Sequence, residues 1–216
     1  MLKQLRPAII SVLAVALLFG GLFPLVITGI AKAAFPRQAA GSLIEKNGQP
    51  VGSSLIGQNF AAPKYFHPRP SAAGSGYDAA NSGGTNLGPT SDKLINGVHK
   101  KLPNGKDDPG NFDGIKDLAA AYRKDNNLPA DAPLPADAVT RSASGLDPDL
   151  SVANANLQAA RVAAARGVAQ QQVRELVARN TQPRTLGFLG EPRVNVLQLN
   201  LALDGEIPDH GGRHTS

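Results

Sequence analysis

The sequence predicts a small α+β domain carried behind a single membrane-spanning helix. Three observations predict it: 25 residues from Pro7 to Ala31 without a charge, an Asn47-Gly48 hairpin signal, and capped apolar-striped helices followed by a late alternating segment. No internal repeat interrupts this order.

Charge is distributed unevenly along the chain. Of the net charge of +5, four units lie in residues 1–37, on Lys3, Arg6, Lys32 and Arg37, which have no acidic neighbour. The rest of the chain is nearly neutral, so no basic face remains for phosphate neutralisation and nucleic acid is excluded as a partner. The absence of cysteine excludes thiolate zinc sites, iron-sulfur clusters, a thiol nucleophile and disulfides. The core must come from Leu, Val, Ile and Ala, since there is no Trp and only ten residues are aromatic.

The segment PAIISVLAVALLFGGLFPLVITGIA is long enough, at roughly 35 Å as a helix, to cross a bilayer core of about 30 Å with some tilt. Pro24 has no N–H for the carbonyl of Gly20, so a kink is expected near Gly20 and Gly21. Gly20, Gly21, Pro24 and Gly29 mark a face suited to close packing against another helix. The competing reading is a cleaved signal peptide ending at Ala31-Lys32-Ala33. Its apolar region would normally span only about 7 to 15 residues, which favours a retained anchor. Positive charges are nearly balanced across the span, yet a six-residue tail beside a large domain reads as a signal anchor. The expected organisation is a cytoplasmic tail (1–6), a transmembrane helix (7–34) and a periplasmic α+β domain (35–216) with a flexible tail from about 205.

In that domain, GSLIEKNGQPVGSSLIG (41–57) reads as a hairpin around Asn47-Gly48. Residues 58–90 are rich in Gly, Pro, Ser and Asn and read as a long functional or disordered loop. Pro89 to Asp92 would cap a helix through Leu94, Ile95, Val98 and Leu102. Residues 103–116 read as a connection and 115–126 as a short helix ending before Pro129. The stretch 135–151 looks like a strand followed by a turn. An Ala-rich helix runs from about Ser151 to Arg166 and stops at Gly167. A further helix carries Ala169, Val173, Leu176 and Val177 on one stripe. VNVLQLNLAL (194–203) reads as a strand by alternation, and the GFLGEPR preceding it as a turn into that strand.

The search for chemistry yields little. There is no GxxxxGK[ST] loop, GxSxG or SxxK, and Gly74-Ser75-Gly76 lacks the third glycine of a dinucleotide loop. Asp107, Asp108, Asp113 and Asp117 miss the EF-hand spacing and read as a solvated acidic loop. His210 and His214 lie on a terminus expected to fray, and His67 and His99 read as isolated surface groups, so no metal is expected. SGGTNLGPTS (82–91) joins permissive backbone to side-chain oxygens. It is either an ordinary glycine-rich connection or a surface that lines an ion entrance or clasps a neighbouring subunit.

Several longer motifs stand in order: LRPAI with the single span, GSLI, VGSSLIGQNF, RPSA with Tyr77, SGGTNLGPTS, PADAVT, SGLDP, ARVAAARG and LGFLGEPRVNVLQLNLAL. Through them the chain resembles, almost end to end, the KdpC family of the Kdp-type potassium-transporting ATPases. TRSASGLDPDLS departs from the family pattern at Arg141, Ala143 and Asp149, and the connection from Lys100 to Leu134 is long for it.

The resemblance implies an accessory, non-catalytic subunit of a bacterial inner-membrane complex that imports potassium at the expense of ATP, hydrolysed elsewhere. The absence of a DKTGT-like motif agrees with that role. The implied partners are a channel-like potassium-translocating subunit, a P-type ATPase catalytic subunit and a small single-span subunit. The domain would cap the outer mouth of the channel-like subunit. The implied contact or pore-entrance residues are Tyr77, Ser82, Gly83, Gly84, Thr85, Asn86, Gly88 and Ser91. An alternative implied by the family is a nucleotide-affinity role through QxxVxxL, here Gln170, Val173 and Leu176. Against it stands the helical stripe, which already accounts for Val173 and Leu176.

Overall fold

The computed structural model describes residues 2–207; His210 and His214 lie outside it. The chain divides into two compact units, with the boundary between Ser53 and Ser54.

The first unit begins with helix α1 (Leu2–Leu17), a π-helical turn at Leu18–Leu22 and helix α2 (Phe23–Ala34). Together they form one apolar helix from Lys3 to Ala34, none of whose most apolar stretch is buried within the chain. The π turn falls at the expected Gly20-Gly21 irregularity. There the Phe23 N–H bonds the Leu18 carbonyl one residue further back than in an α-helix, which accommodates the N–H that Pro24 lacks. Gly20 and Gly29 have no atom within 4 Å of where a Cβ would stand, leaving both open to a neighbouring helix.

A short helix α3 (Pro36–Ala39) leads to strands β1 (Leu43–Lys46) and β2 (Gln49–Ser53). They pair antiparallel around Asn47-Gly48 with a register shift at Ile44/Glu45. Both turn residues have positive φ, 54° and 73°, the conformation that matches a tight turn to the strand twist. The hairpin groups with the apolar helix and not with the second unit.

The second unit is built on helices α4 (Asp92–Asn96), α5 (Ile115–Asp125), α6 (Val152–Arg166), α7 (Gln170–Arg179) and α8 (Val196–Glu206). Strands β3 (Asp149–Ser151), β4 (Thr181–Gln182) and β5 (Arg193–Asn195) form an antiparallel sheet in the order β3-β5-β4. The α+β expectation holds. Helix α6 starts where Ser151 accepts the Asn154 N–H, and it stops at Gly167 in the left-handed region, as the capping pattern predicts. Its face of Ala155, Ala159, Val162 and Ala163 packs with Val173, Leu176 and Val177 of α7, and with Leu199 and Leu203 of α8, around Phe66.

Three expected elements are corrected. Residues 194–203 are not a strand: β5 ends at Asn195, whose side chain accepts the Gln198 N–H and opens α8. Val196, Leu199, Asn200 and Leu203 are buried at helical spacing; the alternation of leucines coincided with that stripe, and Leu favours helix over strand. In 135–151 the order is reversed, with a 3₁₀ turn at Ala136–Ala138 first and β3 last. The helix expected to reach Leu102 ends at Asn96, because Gly97 takes φ 80° and Val98 turns to pair with Phe112.

Candidate functional site

The long Gly- and Pro-rich loop owes its order to buried side chains from the helices beside it. Asn200 of α8 accepts the Phe66 N–H at 2.9 Å and donates to the Phe66 carbonyl at 3.0 Å. Gln158 of α6 does the same for His67, at 2.7 and 3.0 Å. A side-chain amide carries the same donor and acceptor as a peptide, so these two replace the strand that the loop lacks. Arg161 donates to the carbonyls of Pro63 and Tyr65. Arg166, fully buried, reaches the Lys64 and Ile207 carbonyls and pairs with Asp204 at 2.7 Å.

This network was not foreseen from the sequence. Its signal lies in α6, where Asn154, Gln158 and Arg161 recur at i, i+4 and i+7 beside the alanine face. His67 is likewise no isolated surface group, since it contacts Arg161 Nη1 at 3.2 Å and the Ala62 carbonyl at 3.1 Å. Burial, and then the Arg161 charge, holds its pKa below the ordinary histidine value.

Tyr77 sits at φ 57°. Its hydroxyl donates to the Arg69 carbonyl at 2.9 Å and its N–H donates to Ser71 Oγ at 3.0 Å. Burial first, and the Asp147 carboxylate second, push the phenol upward. Arg69 pairs with Asp147 at 2.5 Å, and Ser71 donates to the Gly145 carbonyl at 2.7 Å. A Cβ on Gly57 would overlap the Tyr77 ring, so the glycine makes room for the aromatic. Tyr77 therefore presents little hydrogen-bonding capacity outward and braces the base of the loop.

Residues 82–84 are pinned to the same base. Gly83 N–H and Ser82 Oγ both bond the Ser144 carbonyl, at 2.9 and 3.0 Å. A Cβ on Gly84 would stand 2.7 Å from the Ala143 carbonyl, whereas Gly83 and Gly88 are open. Thr85 is half-buried, Asn86 and Gly88 are exposed, and Ser91 caps α4 by accepting the Leu94 N–H. Of the candidates, Tyr77, Ser82, Gly84 and Ser91 thus do structural work, Gly83 is bonded to the base through its N–H yet leaves room for a side chain, Thr85 is half-buried, and Asn86 and Gly88 are exposed.

Between Tyr77 and Tyr122 lies an open hollow of about 430 Å³ that His67, Arg69 and Asp125 also line. The Tyr122 hydroxyl is engaged with Asn154 Oδ1 at 2.7 Å, so both tyrosines turn ring surface, not hydroxyl, toward that space.

Of the nucleotide alternative, Val173 and Leu176 have no exposed surface. Gln170 stands exposed at the start of α7 beside Asn156 and Arg174. His99 pairs with Asp117 at 2.9 Å, which corrects its reading as an isolated group. Asp113 offers a third potential metal ligand within 4.8 Å of those two. Asp117 also accepts the Gly114 N–H at 2.8 Å, and that bond, with His99, draws its pKa down. The arrangement closes the N-terminus of α5.

A family model described as "KdpC: K+-transporting ATPase, c chain" matches residues 5–205. The potassium-transporting ATPase KdpC subunit of Mycobacterium tuberculosis is 52% identical over 204 residues, 94% of this chain and 99% of the relative. That of Beijerinckia indica subsp. indica is 51% identical over 208 residues, 96% of each chain. That of Rhodospirillum rubrum is 50% identical over 209 residues, 96% of this chain and 98% of the relative. With the match running through the apolar helix and the folded domain alike, the chain belongs to the KdpC family of the potassium-transporting ATPases.

Proposed function

We propose that this chain is the accessory, non-catalytic subunit of an ATP-driven potassium import complex, stabilising the assembly and capping the outer mouth of its channel-like subunit. The observation that carries this reading is the match to potassium-transporting ATPase KdpC subunits over nearly the whole length of both chains. The partners are the channel-like potassium-translocating subunit, the P-type catalytic subunit that hydrolyses ATP, and a small single-span subunit. Residues 1–6 lie in the cytoplasm, 7–34 cross the inner membrane and 35–216 lie in the periplasm. The unpartnered apolar helix with its open glycines supports anchoring beside another helix. The accessible part of the 82–91 loop, Gly83, Asn86 and Gly88, is the polar contact on the channel-like subunit. Backbone carbonyl oxygens there, with the Asn86 amide oxygen, can partly replace a potassium hydration shell.

The test is purification of the tagged chain from native membranes. Recovery of a channel-like potassium protein together with a P-type ATPase is expected, and recovery of neither overturns the reading. Protease added to spheroplasts should cleave the domain; a protected domain overturns the topology.

A further inference from the structure

The hollow between Tyr77 and Tyr122 keeps polar groups that nothing in the chain uses. One wall is the long loop, with Arg69, Ser71 and Tyr77, and the other is α5, with Tyr122 and Asp125. Ser71 Oγ is spent on the Gly145 carbonyl and on the N–H groups of Ala73 and Tyr77. Both tyrosine hydroxyls are spent as well, on the Arg69 carbonyl and on Asn154. Arg69 gives Nη1 to Asp147 and Nη2 to the Thr140 carbonyl, but its Nε–H is buried without an acceptor. Among the described residues it is the one buried side-chain polar atom in that state, and native structures seldom leave such a donor bare. On the other wall the Asp125 carboxylate stands exposed at the last residue of α5, with neither a hydrogen bond nor an ion pair among the described residues. The Arg161 guanidinium senses that charge but spends its donors on Asn126, Gln158 and two loop carbonyls. The C-terminal end of α5 adds negative potential at the same place.

We infer that this hollow binds a small zwitterion of the free amino acid type, with its ammonium on Asp125, its carboxylate on the Nε–H of Arg69 and its carbon body against the two tyrosine rings. The unspent groups are one anion and one cationic donor, on different walls. An amine alone would leave the Arg69 donor bare, and a carboxylic acid alone would meet Asp125 as a like charge. Arg69 keeps 21% of its side chain accessible, and a rotation of that chain presents Nε–H to the ligand. The volume, about 430 Å³, suits a small molecule. Ring faces whose hydroxyls are engaged elsewhere supply apolar surface and also favour a cationic head. The site stands independently of the proposed function, since it needs no partner subunit.

The chain has three tyrosines and no Trp, and two of the three line the hollow, so tyrosine fluorescence reports on it directly. The full chain in detergent is screened against the common amino acids, one at a time at millimolar concentration, by thermal midpoint and by tyrosine emission. At least one amino acid is expected to raise the midpoint, as a ligand of the folded state does, and to change the emission. The amine and the carboxylic acid that each lack one charged end of that amino acid should bind about tenfold more weakly, as loss of one ion pair implies. Asp125→Asn should weaken binding of the amino acid by a similar factor, with the ligand-free midpoint unchanged because the side chain is exposed and unbonded. No response to any amino acid, equal binding of the amine or the acid, or unaltered affinity in Asp125→Asn each overturns the site.

Discussion

Asn200 holds Phe66 by both of its backbone groups, 134 residues away in sequence. The contact ties the final helix to a loop whose regular structure is confined to a 3₁₀ turn at Ala79–Asn81, and Phe66 is itself fully buried in the core. Packing and polar satisfaction therefore meet at one point.

Asn200→Ala strands a buried N–H and a buried carbonyl. Leaving such groups without partners costs about 1–3 kcal/mol each, so the variant should lose about 3 kcal/mol. The drop is read from denaturant midpoints followed by circular dichroism, and Asn200→Leu should not restore it.

Arg166→Met removes a buried guanidinium from the Lys64 and Ile207 carbonyls and from Asp204. Breaking such a pair costs about 3–5 kcal/mol. Arg166→Lys should recover only part of this, because an ammonium cannot reach all the acceptors of the planar fork. Urea melts of the three proteins at one pH make the comparison.

Gly84→Val places a Cβ at 2.7 Å from the Ala143 carbonyl and should lower the thermal midpoint by several degrees, as a loss of about 1–3 kcal/mol would. Gly83→Val meets no such obstacle and should melt like the wild type. Any loss of apparent potassium affinity in Gly83→Val therefore reports a contact and not misfolding; potassium uptake by cells carrying each variant reads it.

His67 sets a pH dependence of known sign. Its folded pKa is lowered by burial and by Arg161, so below about pH 6.5 the unfolded chain takes up a proton that the folded chain resists. Stability should be level above that pH, fall as pH drops below it, and level again once the folded pKa is passed. Denaturant midpoints at pH 7.5 and pH 5 should differ less in His67→Gln than in the wild type.

Much of the fold was legible because it is specified locally. The charge-free apolar run, Asn47-Gly48, the Ser151 cap and the Gly167 stop each act within a few residues, and each element formed as its chemistry required. The misread strand at 194–203 shows the limit. A stripe of Val196, Leu199 and Leu203 and an alternation of leucines coexist in those residues, and the choice between them rests on Asn195 capping and on burial against α6 and α7.

The family was also legible in the sequence, since the motifs that carry it run almost the whole length of the chain. What only the tertiary structure decided is which loop residues face inward. Tyr77 and Gly84 face the base of the loop and Ser82, itself exposed, bonds to it, whereas Phe188, which the sequence placed in a turn before a core strand, stands in solvent. The physical reason is that the loop is held by Asn200, Gln158, Arg161 and Arg166, whose partners lie 91 to 134 residues away. Local propensity carries no record of such distant pairings.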